Sequence, residues 1–430
     1  MEQLANEETR TSGGNENKNE QLVNRIITMC ENLEPPESTV CRIYKVPYYL
    51  RKMNEEAYTP QVISIGPIHH GKERFQTMEK HKVRYFNNLK QKFEMNLEDL
   101  VNTIRKMEDS IRSCYVETVQ MESDDFVKMI ILDVSFILYL FLKYSLGGWT
   151  GDDPMRVEAW LFTMVERELF LLENQLPFFV IQKLYDLALP SLSNSNSLFQ
   201  LTFKFFKSWN IHNKSPNVNI QIQHFTELLR FFQLPSQLPN REKNINLSKY
   251  SVTQLSEAGV KFKVISSIDE EGRQVPSKCL LDLKFKKGVL EIPYLEFYDK
   301  TEVLVRNIMA LEQCDRKSDP YITDFYLILD SLINTTKDVD LLGHKGILFN
   351  GLGDSNTVTS MINNLNRGII WRKFNSNFNQ LGKDLNEYYE EPWHRWKAIL
   401  RNQYFSTPWR TASTIAAIIL LVLTLIQTVS

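Results

Sequence analysis

The sequence lacks the cysteine patterns that stabilise small secreted domains and structural zinc sites. It has five cysteines in 430 residues, with no CxxC pair and no even, clustered set of the kind that forms a disulfide framework. This odd, scattered set predicts reduced thiols and excludes a zinc ribbon. The cysteines are Cys30, Cys41, Cys114, Cys279 and Cys314.

An excess of charge of one sign and an apolar leader are also missing. The 50 Lys and Arg residues nearly balance the 52 Asp and Glu residues, so no overall field attracts nucleic acid and we predict no nucleic-acid partner. Residues 1–20 are polar and rich in Asn, Glu and Gly. Such a segment cannot be a signal peptide, and we expect a disordered tail because it has too little apolar surface to bury.

No recognised catalytic motif is present: the sequence contains no GxSxG elbow, no HExxH pair and no kinase signature. The segment NGLGDS, Asn350–Ser355, resembles an anion-binding loop before a helix. It lacks the Lys-Ser/Thr of a P-loop and the full GxGxxG spacing. A turn at Gly353 followed by an N-cap at Asp354 or Ser355 explains it better.

What the chain does have is a helical stretch, Asp153–Leu187, on which the rest is organised. Asp153 is a good N-cap, and Pro154 suits the first helical position. Apolar residues then recur at spacings of three and four, which predicts a helix, and Pro177 ends it and opens a second one. Between them lies a polar corner, Glu173-Asn174-Gln175, which needs buried hydrogen-bond partners.

Two further patterns complete the predicted fold. The apolar run within Asp124–Tyr144 contains Lys128 and Asp133 and predicts a buried core helix instead of a bilayer span. Apolar and polar residues alternate over 260–264 and 281–286, and Lys287-Gly288 suits a two-residue turn, so we predict a β-hairpin. The fold class is therefore mainly α: a multi-helix domain with a small antiparallel β-hairpin or sheet, plus a C-terminal transmembrane helix.

The predicted transmembrane helix covers residues 411–429. Residues 412–429 carry no charge and are rich in Ile, Leu and Val, which favours insertion into a bilayer. Cations lie before this segment, at Arg395, Lys397, Arg401 and Arg410, and aromatic residues at Tyr404, Phe405 and Trp409. The positive-inside rule then predicts a tail-anchored, single-pass protein whose N-terminal domain faces the cytosol, at the plasma membrane or endoplasmic reticulum.

Several long blocks resemble one plant family in the same order. They include IYKVPYYLRKMNEEAYTPQVISIGPIHHGKERFQTMEKHK (43–82), FLLENQLPFFVIQKLY (170–185), LLDLKFKKGVLEIPYL (280–295) and the closing segment 392–429. Together they resemble the plant domain of unknown function family 247. The resemblance implies a mostly helical domain, a C-terminal membrane segment and no established enzymatic activity. Some grass members of that family are associated with self-incompatibility, which points toward recognition and signalling.

These observations divide the chain into three parts. Residues 1–20 form the tail, residues 21–405 form the mostly helical family domain, and residues 411–429 form the membrane helix. Within the domain, residues 190–223 have the Ser- and Asn-rich composition of a linker, and residues 258–298 contain the small β region.

Histidines and carboxylates are the candidate chemical groups. His69, His70 and His81 invite a metal site, but adjacent histidines in an extended segment point to opposite sides, and a turn explains the segment better. Glu166, Glu168 and Glu173 could join Asp133 in acid–base chemistry. A buried structural network that links Asp133 or Glu173 to backbone N–H groups and Arg167 is favoured instead. Asn213, Asn246 and Asn334 open glycosylation triplets, which matter only in a lumenal domain.

We therefore predict a non-enzymatic, membrane-tethered plant protein that acts in protein–protein recognition or signalling. Its expected partners are the bilayer, through residues 411–429, and other proteins. No catalytic residue, metal ligand or cofactor is assigned. One alternative is a hydrolase or transferase with a carboxylate or histidine site near residues 69–82 or 166–175; another is a purely structural membrane scaffold.

Overall fold

The computed structural model describes residues 18–30, 43–190, 197–216, 220–268, 273–315, 319–371, 373–393, 396 and 408–429. The chain divides into two compact units, Met1–Cys41 and Arg42–Ser430. In the first unit, the described residues form helix α1 over 18–30, whose side chains are exposed. Of the predicted tail, residues 1–17 lie outside the described residues and 18–20 belong to this helix.

The second unit is built mainly from helices, as the apolar periodicities predict, so the mainly helical fold class is confirmed. The helices are α2 Tyr48–Arg51, α3 Gln76–Phe93, α4 Leu97–Arg112, α5 Ser123–Leu146, α6 Pro154–Val157, α7 Ala159–Glu168, α8 Phe178–Ala188, α9 Leu198–Phe205, α10 Phe225–Gln233, α11 Val252–Glu257, α12 Asp299–Cys314, α13 Tyr321–Leu332, α14 Thr336–His344, α15 Ser355–Leu365, α16 Ser376–Glu390 and α17 Pro408–Val429. Short 3-10 turns lie at Glu55–Ala57, Glu73–Phe75, Lys207–Trp209 and Leu280–Asp282.

Helix α5 is buried on almost every side because its apolar residues cover nearly the whole circumference. It packs against α3, α4, α8 and α9. Asp124 and Asp125 begin it, where the helix dipole favours acidic residues, and Gly147 ends it in the left-handed conformation with φ of 72°. The prediction of a buried core helix at this apolar run is confirmed.

The predicted helices around Pro177 form, with different boundaries. Asp153 accepts a hydrogen bond from the Met155 backbone N–H at 3.0 Å, which is the predicted N-cap. The first helix is interrupted at Glu158, whose φ and ψ of −108° and 85° are not helical, and it ends at Glu168. Residues 169–177 therefore form a longer non-helical corner than the apolar spacing predicted.

The β structure consists of short strands in small sheets. These are β1 Arg241–Glu242, β2 Lys261–Val264, β3 Ser266–Ile268, β4 Gln274–Pro276, β5 Lys284–Lys286, β6 Val289–Ile292, β7 Leu295–Phe297, β8 Leu348–Asn350 and β9 Phe374–Asn375. Strand β6 pairs antiparallel with β5 and parallel with β2. The predicted hairpin is confirmed: Lys286 pairs with Val289, and both Lys287 and Gly288 have positive φ, as a type I′ turn requires.

The prediction of a transmembrane helix at 411–429 is wrong. Among the residues that the structure describes, no helix is both long and apolar enough to cross a bilayer.

The assignments that depended on this helix fall with it. They are the single-pass and tail-anchored topology and the membrane localisation, whereas the bilayer as a partner and the membrane scaffold are untested. Of the flanking residues used for that prediction, Arg395, Lys397, Arg401, Tyr404 and Phe405 lie outside the described residues.

Candidate functional site

The corner between α7 and α8 is a buried cluster of hydrogen-bonded polar side chains. Glu173, Asn174 and Gln175 are each at most 1% exposed. The Gln175 side-chain amide donates to the backbone oxygens of Leu169 and Leu171, both at 2.7 Å, and its oxygen accepts from the Phe225 backbone N–H at 2.9 Å. One side chain thus satisfies carbonyl groups that the end of α7 leaves without helical partners.

An extended segment, Gln61–Gly66, runs past this corner and is held by side chains. The Glu168 carboxylate accepts hydrogen bonds from the backbone N–H groups of Gln61 (2.7 Å), Val62 (3.0 Å) and Ile63 (2.8 Å). Asn174 Oδ1 accepts from Ile65 N–H at 2.6 Å. Burial raises the pKa of Glu168, and the three N–H donors oppose that rise.

Asp133, on helix α5, completes this arrangement. Its Oδ2 accepts from the Gly66 N–H at 2.8 Å, and its Oδ1 lies 2.6 Å from Lys82 Nζ. Lys82 is also 2.6 Å from Glu79 Oε1. Burial alone would lower the pKa of Lys82, but the two carboxylates raise it above its ordinary value, so the lysine is a buried cation.

Glu173 connects the corner to the surface. Its Oε1 accepts from the Val46 N–H at 2.7 Å, and its Oε2 contacts the Arg51 guanidinium and lies 2.9 Å from His69 Nε2. Burial alone would raise the pKa of Glu173, but His69 and Arg51 hold it below its ordinary value. Burial lowers the pKa of His69, whose Nδ1 lies 2.7 Å from Lys72 Nζ. A neutral imidazole that donates to Glu173 and accepts from Lys72 fits these contacts.

The predicted structural network is thus present, but its cations differ from the predicted one. Arg51 contacts the Glu173 carboxylate and Lys82 contacts the Asp133 carboxylate, whereas Arg167 is the predicted cation. Glu166 stands apart, because its Oε1 accepts hydrogen bonds from Trp209 Nε1 at 3.1 Å and Ser208 Oγ at 3.4 Å. Burial raises the pKa of Glu166.

The other predicted candidates have separate surroundings. His69 binds Glu173, the His70 ring lines a cavity beside α3, and His81 lies in the electrostatic field of Asp153. Within the described part of the chain, no group of three or more His, Cys, Asp or Glu residues could hold a metal ion. The absence of a bound metal stays a prediction.

The segment Asn350–Ser355 is a turn with a helix cap. Gly353 has φ of 83°, and Asp354 accepts from the N–H groups of Asn356 (3.1 Å) and Thr357 (3.3 Å). The prediction of a turn and N-cap is confirmed. The glycosylation triplets at Asn213, Asn246 and Asn334 have exposed side chains.

An exposed group of large side chains, which we call the aromatic surface, was not predicted from the sequence. It consists of Tyr48, Tyr49, Ile370 and Trp371, which are 79%, 37%, 62% and 37% exposed. Their two segments adjoin, because a Cβ at Gly368 would lie 3.3 Å from the Tyr49 ring. The signal available in the sequence was a Tyr-Tyr pair directly after Pro47, together with Ile-Trp after a glycine.

Polar contacts hold both halves of the aromatic surface. Tyr48 and Tyr49 lie on helix α2, which ends at Arg51, the partner of Glu173. The Ile370 N–H donates to Gln313 Oε1 at 3.0 Å, near the end of helix α12. Burial raises the pKa of Tyr49, with a further contribution from nearby Cys314. The polar corner therefore supports the half of the aromatic surface that lies on helix α2.

Comparison with known proteins assigns the chain to a family. The model of DUF247, described as plant protein of unknown function, matches residues 43–423. The chain belongs to this plant family. The family match spans the corner, the segment Gln61–Gly66 and both halves of the aromatic surface.

Two relatives from Arabidopsis thaliana are similar to the chain over most of their length. A UPF0481 protein is 28% identical over 429 residues, which cover 92% of this chain and 87% of the relative. A putative UPF0481 protein is 21% identical over an alignment of 494 residues. The alignment covers 91% of this chain and 90% of the relative. No solved structure matches the chain. The resemblance read from the sequence blocks is confirmed, and the family description names no activity.

Proposed function

We propose that this DUF247 member acts by protein–protein recognition, without catalysis, through the aromatic surface. The observation that carries the proposal is the exposure of Tyr48, Tyr49, Ile370 and Trp371 on two adjoining segments. Trp and Tyr are enriched among the residues that dominate binding energies at protein interfaces. Exposing these apolar side chains to water is unfavourable in free energy, and a partner that covered them would remove this cost.

Rigidity supports the same proposal. Arg51 ties helix α2 to the buried Glu173, and Gln313 holds the Ile370 backbone. A surface that is fixed before binding loses less conformational entropy on association than a mobile one. The aromatic surface is therefore suited to a defined partner.

Enzymatic activity is less well supported at residues 166–175. Glu168 and Glu173 are buried. Their carboxylate oxygens accept hydrogen bonds from backbone N–H groups, and Glu173 also contacts the cation Arg51. A general acid or base needs to reach substrate. The alternative of a hydrolase or transferase at 69–82 stays a prediction.

The test is a comparison of proximity labelling in plant cells. The full chain is expressed as wild type, as Tyr48→Ser/Trp371→Ser, and as a control, Val157→Ser/Trp160→Ser, that alters two other exposed residues, 63% and 59% exposed. We expect a subset of proteins labelled by the wild type and the control to be lost with the first variant. A purified member of that subset should bind the first variant at least tenfold more weakly, as for hot-spot residues.

Thermal melting of the three purified proteins serves as the folding control. Both double variants replace exposed residues, so their melting temperatures should stay close to that of the wild type. Identical labelled sets for the wild type and the Tyr48→Ser/Trp371→Ser variant would contradict the proposal.

A further inference from the structure

A cavity of about 490 Å³ opens between helix α3 and helix α5, beside the turn that precedes α3. The apolar part of its lining consists of the buried Phe75 and Met129 and the more accessible Val83 and Leu132. This volume falls within the range of small-molecule sites, which are mostly apolar with a few polar groups that fix orientation. We call it the Phe75 cavity.

Its rim carries an excess of unneutralised positive charge. The lining includes Lys72, Lys80 and Lys128 against two carboxylates, Glu79 and Asp125. Glu79 is paired with the buried Lys82 at 2.6 Å, which does not line the cavity, and Asp125 lies 3.8 Å from Lys128. Among the described residues, Lys72 and Lys80 have no carboxylate within ion-pair distance.

Lys72 is the polar group placed to bind a ligand. It is exposed and lines the cavity. Its ammonium has three N–H donors, and one contact is to His69 Nδ1, so further donors are free for a second acceptor.

The state of Lys72 also favours an anion. Burial lowers the pKa of the Lys72 ammonium, and the nearby Arg74 lowers it further. An anion beside this group would stabilise its charged form and offset part of the desolvation. An apolar lining beside such a group is suited to a ligand with a charged head and an apolar body.

We propose that the Phe75 cavity binds a small organic carboxylate with a flat apolar body. The carboxylate contacts Lys72, and the apolar body packs on the accessible lining side chains, Val83 and Leu132. This binding site is independent of the aromatic surface and of the proposed partner recognition. No covalent step is involved.

The test uses two matched probes, 2-naphthoate and its uncharged amide 2-naphthamide, titrated calorimetrically into the full chain. We expect the naphthoate to bind at least tenfold more tightly than the amide, because only the carboxylate forms a charge-assisted hydrogen bond. Lys72→Gln should weaken naphthoate binding about tenfold and leave amide binding unchanged. Lys183→Gln, a change of an exposed lysine on α8, should alter neither.

A second variant tests the cavity without changing its charge. Val83→Trp adds an indole at a lining position that is 45% exposed, where the larger side chain can be accommodated. It should weaken both probes at least tenfold. The proposal is overturned if neither probe binds the wild type at millimolar concentration, if the two probes bind equally, if Lys72→Gln behaves as Lys183→Gln does, or if Val83→Trp leaves naphthoate binding intact.

Discussion

Two extended segments of the second unit satisfy their backbone groups by different means. Strand β6 lies between β2 and β5 and exchanges backbone hydrogen bonds with both. The segment Gln61–Gly66 pairs with no strand among the described residues, and side chains of Glu168, Asn174 and Asp133 accept hydrogen bonds from five of its N–H groups. Both solutions meet the requirement that buried backbone groups be paired.

The difference lies in what a single substitution can remove. In β6 the backbone pairing is independent of side-chain identity, so a change at an exposed position of the sheet leaves it intact. In Gln61–Gly66 one carboxylate serves three N–H groups, and its loss leaves all three without their acceptor. Stability is therefore concentrated in a few polar side chains of the helical region.

The largest effect is expected from Glu168→Ala. It removes the acceptor for Gln61, Val62 and Ile63, and we expect a loss of about 3–5 kcal/mol in the free energy of unfolding. Glu168→Gln keeps one acceptor oxygen, so its loss should be smaller. Urea denaturation of the purified chain measures both.

Lys263→Ala is the matched control, since it alters an exposed side chain of strand β2. It should change the free energy of unfolding by less than about 0.5 kcal/mol. Equal losses for Glu168→Ala and Lys263→Ala would contradict the distinction between the two segments.

Glu173→Ala should have the next largest effect. It leaves the Val46 N–H without its acceptor and Arg51 without its anion, and we expect a loss of about 1–3 kcal/mol. Thermal melting should record it. An unchanged melting temperature together with altered partner binding would show that the residue serves recognition and not structure.

A smaller effect on the free energy of unfolding is expected when the pH is lowered. Because burial lowers the pKa of His69 from 6.5, the unfolded chain binds the proton more readily, and stability falls as the pH drops below about 6.5. Glu173 has a lowered pKa too, so its contribution is present above pH 4.5 and is lost as the pH falls through the folded-state pKa. Denaturation between pH 7 and pH 5 lies above the range in which Glu173 titrates, and the contribution of His69 is the part of the change that a substitution of His69 removes.

Two variants test the assignment of this acid effect. His69→Gln should lose less stability than the wild type over that interval, while His344→Gln, which changes an exposed histidine, should lose as much as the wild type. A wild-type slope that His69→Gln does not reduce would show that another group titrates.

The smallest effect is expected in the hairpin. Lys287 has φ of 50°, a conformation that asparagine adopts more easily than lysine, and Asn-Gly is the preferred pair for a type I′ turn. Lys287→Asn should therefore stabilise the chain by up to about 0.5 kcal/mol, measured by the same denaturation. A destabilised variant would mean that the lysine side chain makes a contact that matters more than the turn.

Local patterns predicted local structure well. The buried helix α5, the N-cap at Asp153, the cap at Asp354 and the Lys287-Gly288 hairpin each depend on residues close in sequence. The parallel pairing of β2 with β6 was not predicted, because it joins residues separated by intervening strands. The membrane span predicted from the composition of residues 411–429 was wrong.

The corner could be predicted only in part. A polar triplet among apolar helices indicates that partners exist, and the expectation that they are backbone N–H groups holds for Glu173. The sequence does not indicate which segment supplies them, since Ile65 and Asn174 are 109 residues apart. Still larger separations in sequence hid Arg51 as the partner of Glu173 and Gly368 as the neighbour of Tyr49.

That separation also sets an order of events during synthesis. Gln61 leaves the ribosome 107 residues before Glu168, which accepts its N–H. At about 5–20 residues per second, the segment spends roughly 5–20 s without its acceptors. During this interval the apolar segment has unpaired backbone groups that can pair with the wrong strand. The native hydrogen bonds of the segment can form only after the corner has been synthesised.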